Sequence, residues 1–424
     1  MLSRADNELI TRTGPGTGMG ELFRRFWVPA LLSSELPEPD CNPVAFGLLG
    51  EELVGFRTTS GKAAILEARC PHRHASLFWG RNEEEGLRCA YHGWKFSAEG
   101  VCLDQPAEPA DSRYKDAVRA LAYEVHEAGG IVWVYMGPRD KIPEFPAFEW
   151  TLLNEDQFLV TKRLQLCNYL QNLEGELDTS HVNFLHRTNR SSEDPIMPPE
   201  NIARKQFFLS EANFGIVAMA RSETPNDEYY WRMTPFVLPS FTIIPSPLGS
   251  ANTLTAVVPI DDDNAWGFTA TWNPARPLDE AEILGVTGGE GVHVHVDPAT
   301  WLPLANKTNN YLIDRELQRT RSFTGIFGIR NQDLAVQENQ DGTICRRDEE
   351  HLGVTDRGIV GMRRLLLTLA KNLQKGEEPR HLQHPDAFRA RSVAIDAPRS
   401  VDPVALFLSA QPESVDAASL GSAY

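Results

Sequence analysis

The chain is poor in cysteine, with six in 424 residues, and has no apolar run approaching the roughly 18 residues that span a bilayer. It also lacks a basic excess. Its 41 Lys and Arg against 58 Asp and Glu leave a net charge of −17, which disfavours nucleic acid or an anionic membrane as partner and is compatible with a basic redox protein. The opening Met1-Leu2-Ser3-Arg4-Ala5-Asp6 has no basic stretch leading into an apolar one, the mark of a signal peptide. Cys41, Cys102, Cys167 and Cys345 are scattered and read as buried thiols of a reducing compartment. The expectation is a cytoplasmic protein. A dinucleotide fingerprint is missing too: Gly14-Pro15-Gly16-Thr17-Gly18-Met19-Gly20 follows no buried strand and is broken by Pro15, so it reads as a loop before a short helix, Glu21 to Trp27.

What is present is concentrated in two loops, Cys70-Pro71-His72-Arg73-His74-Ala75 and Cys89-Ala90-Tyr91-His92-Gly93-Trp94. Cys70, His72, Cys89 and His92 offer two thiolates and two imidazoles across a spacer that can hold a small hairpin. A Rieske [2Fe–2S] cluster uses that set, both cysteines on one iron and both histidines on the other. A structural zinc also takes two Cys and two His, but it leaves Pro71, Tyr91 and Gly93-Trp94 without a reason.

The rest of the chain organises around this module. Residues 1–40 read as a helical lead-in. Over 41–145 the short strands Val44–Leu49, Leu53–Arg57, Ala63–Ala68 and Ile131–Tyr135 are separated by Gly- and Ser-containing turns, an all-β domain with the two loops at hairpin tips. Pro138, Pro143 and Pro146 mark its exit. Over 150–395 strand candidates (Phe158–Leu164, Gln206–Leu209, Gly215–Arg221, Tyr229–Val237, Phe241–Ile244, Leu254–Val258, Ala265–Trp272) mix with helices, an α+β antiparallel sheet wrapped on a long helix. Ile359, Met362, Leu366, Leu369 and Leu373 recur at helical spacing over Thr355 to Lys375. Residues 396–424 read as a loosely held tail.

A second site is visible in the run from Asn168 to His186. Asp178 and His181 stand one helical turn apart. His181 and His186 are five apart, about 140° on an ideal helix, so a π-bulge or a frayed turn is needed to bring both to one ion. A one-electron cluster needs an acceptor, and no flavin or nicotinamide motif supplies one. Two histidines and a carboxylate with open positions form the facial triad of non-haem Fe(II) oxygenases. For the carboxylate, Asp314, Asp333, Glu338 and Asp341 all stand as candidates. His293-Val294-His295 is a feasible metal pair by alternation, but a half-exposed strand or loop is the simpler expectation.

With both sites in view the chain resembles the oxygenase (α) subunits of Rieske non-haem iron aromatic-ring-hydroxylating oxygenases, of the phthalate-dioxygenase type. The likeness runs through Arg12–Thr17, both cluster loops, Asp178–His186, Asn309-Asn310-Tyr311-Leu312-Ile313-Asp314-Arg315-Glu316 and Gln332-Asp333-Leu334-Ala335-Val336-Gln337-Glu338. It implies an all-β Rieske domain and an α+β helix-grip catalytic domain with a C-terminal helix. It implies that Cys70, His72, Cys89 and His92 hold the cluster and that His181, His186 and Asp333 hold a mononuclear Fe(II). Asp178 resembles the family's bridging carboxylate, joining a cluster histidine of one subunit, the counterpart of His92, to an iron histidine of the next. That route implies a ring, a homotrimer or a dimer of trimers. The implied reaction uses O2 and electrons from a separate NAD(P)H-dependent reductase to dioxygenate an aromatic carboxylate, with monooxygenation or O-demethylation of an aromatic acid or ether as the alternative. A Rieske protein that only transfers electrons is the alternative from another class.

Two departures stand out. His74 occupies a place where the family often has Gly, and Glu338-Asn339-Gln340-Asp341-Gly342-Thr343 replaces the usual Glu-Ser-Met-Gly-Pro. Arg204, Arg221 and Arg232, and the apolar Phe236, Phe241 and Ile243, fall in the sheet expected to wall the pocket, where structural roles explain them equally well; none is assigned to the site.

Overall fold

The computed structural model describes residues 2–187, 205–415 and 420–421. Helices Arg4–Thr11 and Gly18–Phe23 open the chain. The glycine-rich stretch serves the second of these: Thr17 caps it, its hydroxyl accepting from the Gly20 amide at 3.1 Å, as capping residues do. The lead-in expected over 1–40 ends early, because Trp27–Leu32 is a wholly buried strand. Its six apolar side chains have nowhere to go but a core.

That strand edges a six-stranded antiparallel sheet whose order continues Ile131–Tyr135, Ala122–Ala128, Ala63–Glu67, Glu51–Arg57, Val44–Leu48. A small four-stranded sheet, Arg81–Glu83, Gly86–Arg88, Lys95–Ser97, Cys102–Asp104, completes the β-domain. The Cys89 loop is the tip of a hairpin in this small sheet. The Cys70 loop is the tip of a minimal hairpin, closed by a single antiparallel bridge between Arg69 and Ser76. It lies between strands of the two sheets and closes on itself.

The second half is an eight-stranded antiparallel sheet in the order Phe158–Gln165, Ala265–Trp272, Asn252–Pro259, Phe241–Ile244, Glu228–Val237, Gly215–Glu223, Gln206–Ala212, with Val393–Pro398 added beside Glu228–Val237. The helix Arg357–Leu373 buries Met362, Leu366, Leu369 and Ala370; its glycines sit close enough that a Cβ at Gly361 would meet Leu209 and one at Gly358 would meet Leu177 and Ala218. The segment read as a loose tail is attached. Val393–Pro398 pairs with the sheet, helix Pro403–Ser409 buries Phe407, and Leu420 bridges Ala212. Sparse apolar residues hid this: one strand's backbone bonds, the buried Phe407 and Val415 and the Leu420 bridge do the holding.

The two halves share one apolar core. Trp133 of the first stacks on Phe148 at 5.5 Å, and Phe148 meets Phe241 of the large sheet at 4.7 Å. Phe236, Phe241 and Ile243 belong to this core, which accounts for them without a pocket. One buried ion pair crosses the seam: the Lys162 amine lies 2.9 Å from Glu35 and 4.3 Å from the Trp266 ring centre. No helix among the described residues is long and apolar enough to cross a membrane.

Candidate metal centres

The two cysteine loops have the same backbone design. In the first, the Cys70 amide donates to the Ala75 carbonyl at 2.9 Å and the His74 amide to the Cys70 carbonyl at 2.9 Å; in the second, Cys89 donates to Trp94 at 2.8 Å and Gly93 to Cys89 at 3.0 Å. The fifth residue of each turn is left-handed, His74 at φ 56° and Gly93 at φ 75°. Glycine is needed in the second loop, since a Cβ there would come within 2.7 Å of Pro106. His74, pointing to solvent, bears the steric cost of that conformation.

These turns bring the four expected residues together. Cys70 and Cys89 are buried and adjoin one another; burial pushes the Cys70 thiol up to about 11, against the pull of the His72 and Arg73 amides. The His72 and His92 rings lie 4.5 Å apart, partly exposed, with Trp94 stacked on His72 at 4.2 Å and 9°. A single tetrahedral zinc needs donors about 3–4 Å from one another. No three of these four converge within 4.8 Å among the described residues. Two irons bridged by sulfide separate the thiol pair from the imidazole pair, and that donor set fits the arrangement.

The second site lies where helix Tyr169–Leu177 ends. Asp178 caps the helix and then turns the chain, its carboxylate accepting from the Ser180 amide at 2.7 Å and the His181 amide at 3.1 Å. His181–Asn183 follows as a 3₁₀ turn. The helix therefore does not run through the histidines; breaking it at Asp178 is what swings His186 round to His181. Their Nε2 atoms are 3.1 Å apart, and Asp333 Oδ1 lies 3.6 Å from His181 Nε2 and 3.2 Å from His186 Nε2.

His181, His186 and Asp333 are the one group of three such side chains among the described residues whose donor atoms converge within 4.8 Å. Asp333 is buried, and its Oδ1 has no hydrogen-bond partner among the described residues. A bare carboxylate oxygen facing two imidazole nitrogens is costly as a hydrogen-bond arrangement and apt as a cation site. The outer nitrogens are engaged elsewhere: His181 Nδ1 with Asp178 at 3.3 Å and His186 Nδ1 with Gln332 at 2.8 Å. Both Nε2 atoms are thereby left as lone-pair donors, the usual outer arrangement for metal-binding histidine. Burial raises the Asp333 carboxyl, but the His186 and Arg330 contacts more than offset it and hold it ionised. His186 shifts upward: burial lowers it, and the neighbouring Asp333 carboxylate outweighs that.

The other carboxylates are occupied. Asp314 caps helix Arg315–Thr320, Glu338 accepts from the Tyr311 hydroxyl at 2.7 Å and the Leu166 amide at 2.9 Å, and Asp341 pairs with Arg346 at the surface. His293 is buried against Thr161 and Thr271, and His295 donates to the Thr287 carbonyl in a loop, so the two do not form a metal pair. Arg221 lies over the Tyr229 ring at 4.1 Å and bonds Gln206 at 2.8 Å. Arg204 lies outside the described residues.

Sequence reasoning missed three side chains around Asp333. Helix Ile329–Gln337 buries Arg330, Gln332 and Gln337 together with Asp333. Arg330 reaches Asp333 Oδ2 at 3.4 Å and pairs with Glu176, two residues before Asp178. The available signal was a helix with buried polar residues, Arg-Asn-Gln-Asp in succession, which no amphipathic pattern explains.

Comparison with known proteins agrees with this geometry. The Rieske [2Fe-2S] domain family matches residues 26–122, and the family described as LigXa C-terminal domain like matches residues 134–397. The chain is 40% identical to the 3-chlorobenzoate-3,4-dioxygenase oxygenase subunit of Comamonas testosteroni, covering 94% of this chain and 96% of the relative. It is 36% identical to the phthalate 4,5-dioxygenase oxygenase subunit of Pseudomonas putida (89% and 88%), and 31% identical to the 5,5'-dehydrodivanillate O-demethylase oxygenase subunit of a Sphingobium strain (90% and 83%). The fold matches dicamba monooxygenase bound to dicamba with a TM-score of 0.58 at 17% identity, over 84% of this chain and 99% of that one. The chain belongs to the oxygenase subunits of the Rieske non-haem iron aromatic-ring-hydroxylating oxygenases, phthalate-dioxygenase type, whose cofactors are a Rieske [2Fe–2S] cluster and a mononuclear iron.

Proposed function

We propose that Cys70 and Cys89 hold one cluster iron and His72 and His92 the other, that His181, His186 and Asp333 hold the mononuclear iron, and that the chain dioxygenates an aromatic carboxylate. When bound, the cluster supplies single electrons and the mononuclear iron supplies the O2 chemistry of ring oxidation. The observation that carries the reading is the convergence of His181 Nε2, His186 Nε2 and the partnerless Asp333 Oδ1.

Three residues on one face leave the opposite face of the site free for small molecules. Two cations stand near the ligand-bearing turn. The Lys205 amine donates to the Thr179 carbonyl at 2.9 Å, and its proton affinity is pulled down to about 8 by burial and by Arg232. Arg232 keeps a buried Nε without a partner among the described residues. Together they suit an anionic group on the substrate.

Electrons come from a separate NAD(P)H-dependent reductase, in line with the missing nucleotide fingerprint. Asp178, touching His181, is assigned as the bridge to His92 of a neighbouring subunit in a homotrimer or dimer of trimers. The domains are assigned as a Rieske domain beginning at the Trp27–Leu32 strand and a catalytic domain from about residue 150 through the Val393–Pro398 strand. Six free cysteines support a cytoplasmic location.

Iron, zinc and acid-labile sulfide in anaerobically purified protein test the centres: about three irons and two sulfides per chain are expected, and zinc without sulfide would overturn the reading. O2 uptake with a reductase and a panel of aromatic acids, with product analysis, then separates a cis-dihydrodiol from a phenol or a demethylated ether.

A further inference from the structure

The two site histidines are held by different chemistry. His181 turns its Nδ1 toward a carboxylate, Asp178, at 3.3 Å, whereas His186 turns its Nδ1 toward the amide oxygen of Gln332 at 2.8 Å. Gln332 is buried, and its amide has one sensible orientation: Nε2 donates to the Ile326 carbonyl at 2.8 Å. A carbonyl only accepts, so the amide nitrogen must face Ile326 and the amide oxygen must face His186. That oxygen also only accepts. The imidazole proton of His186 is therefore on Nδ1, and Nε2 is left bare, 3.1 Å from His181 Nε2 and 3.2 Å from Asp333 Oδ1.

We propose that Gln332 is a positioning residue that sets the tautomer of His186 and so readies its Nε2 to bind metal. The inference rests on the reading of His181, His186 and Asp333 as the iron site. The Ile326 carbonyl serves only to turn the amide oxygen toward His186; a carboxylate, whose two oxygens both accept, would not need it. Gln332 and Asp333 are adjacent on one helix, so the same helix turn delivers one donor atom and orients another.

The test is Co(II) titration of protein freed of its mononuclear iron by chelation, with the visible absorption of the retained cluster as the control for folding. One Co(II) per chain in the native protein, lost in His181→Ala, would uphold the site; absence of that binding would sink the site reading and leave Gln332 out of account. Given the site, Gln332→Leu should weaken Co(II) binding roughly 10- to 100-fold, the usual effect of removing an outer partner of a metal-bound histidine. Gln332→Glu keeps the acceptor and loses the donor to Ile326, and should stay within a few-fold of native. Unchanged affinity in Gln332→Leu would overturn the proposal. So would Gln332→Glu weakened by about tenfold or more, because the Ile326 anchor rather than the acceptor would then be what matters. If Gln332→Leu fails to keep its cluster, Gln332→Met, close to Gln in length and without the amide oxygen, takes its place in the same titration, with the same weakening expected and unchanged affinity overturning the proposal.

Discussion

His293 lies between two hydroxyls, Thr161 at 2.7 Å from Nδ1 and Thr271 at 2.8 Å from Nε2. Burial, with Arg163 and Arg330 nearby, drops its pKa to about 3, against about 6.5 in an unfolded chain. Between those values the unfolded chain binds a proton and the folded one does not, so stability falls as pH is lowered through that window. Going from pH 7.5 to about 5.5 should cost the native protein roughly 1 kcal/mol through this residue alone. Chemical denaturation of native protein and His293→Gln at both pH values checks it: the variant should lose less, and equal losses would show that His293 does not titrate as argued. In sequence His293-Val294-His295 read as a half-exposed strand or loop before a metal pair, and the segment is a loop, with His293 itself buried. His74 was more legible. Standing where the family often has glycine, it was expected to face outward, and it is exposed, at φ 56°. Gln332 was not legible, since nothing in a glutamine's identity says that its amide is pinned by a distant carbonyl.

Helix Tyr169–Leu177 leads directly to Asp178 and is anchored through Glu174, which meets Arg347 at 2.8 Å and Arg363 at 2.6 Å. All three are buried, and Arg363 also pairs with Glu350. Removing the shared carboxylate leaves Arg347 buried with no other acid partner among the described residues. Glu174→Ala should therefore cost about 3–5 kcal/mol, read as a lowered urea midpoint, with iron lost from the second site before the cluster is lost. A cost below about 1 kcal/mol, the scale of exposed pairs, would mean that the triad anchors nothing. The strands around this helix were readable to within a residue or two at most ends, because β-branched and aromatic runs broken by Gly and Pro carry that information locally. The turn at 310–312 was not. Asn310, Tyr311 and Leu312 are all left-handed, at φ 52°, 53° and 53°, a conformation that non-glycine residues adopt at a cost. The cost is met by tertiary contacts of Tyr311, which is buried and bonded to Glu338 at 2.7 Å. Such a turn is determined by what lies against it, and a single sequence does not record that.

Among the described residues, exposed apolar side chains stand on the segments that carry each centre. Phe78, Trp79, Tyr91 and Tyr114 are exposed on the β-domain that carries the cluster loops, and Phe184, Phe323, Phe327 and Leu312 are exposed on the segments flanking the second site. Patches of this kind mark contact surfaces. Patches that differ from each other can meet only head to tail, which closes into a ring when the rotation allows. In such a ring the cluster of one subunit feeds the second site of the next, with Asp178 at the junction. This makes a prediction that a self-contained chain does not. Cys89→Ser removes the cluster and keeps the second site, while His181→Ala does the reverse, and each variant alone should be inactive. Unfolded together and reassembled at equal amounts, they form junctions at random, and about a quarter of junctions join a sound cluster to a sound second site. Recovery of about that fraction of native O2-coupled turnover is expected, with solution mass measured to show that mixed rings formed. Mixed rings without activity would mean that electrons pass within one chain, and the head-to-tail assignment of Asp178 would fall with them.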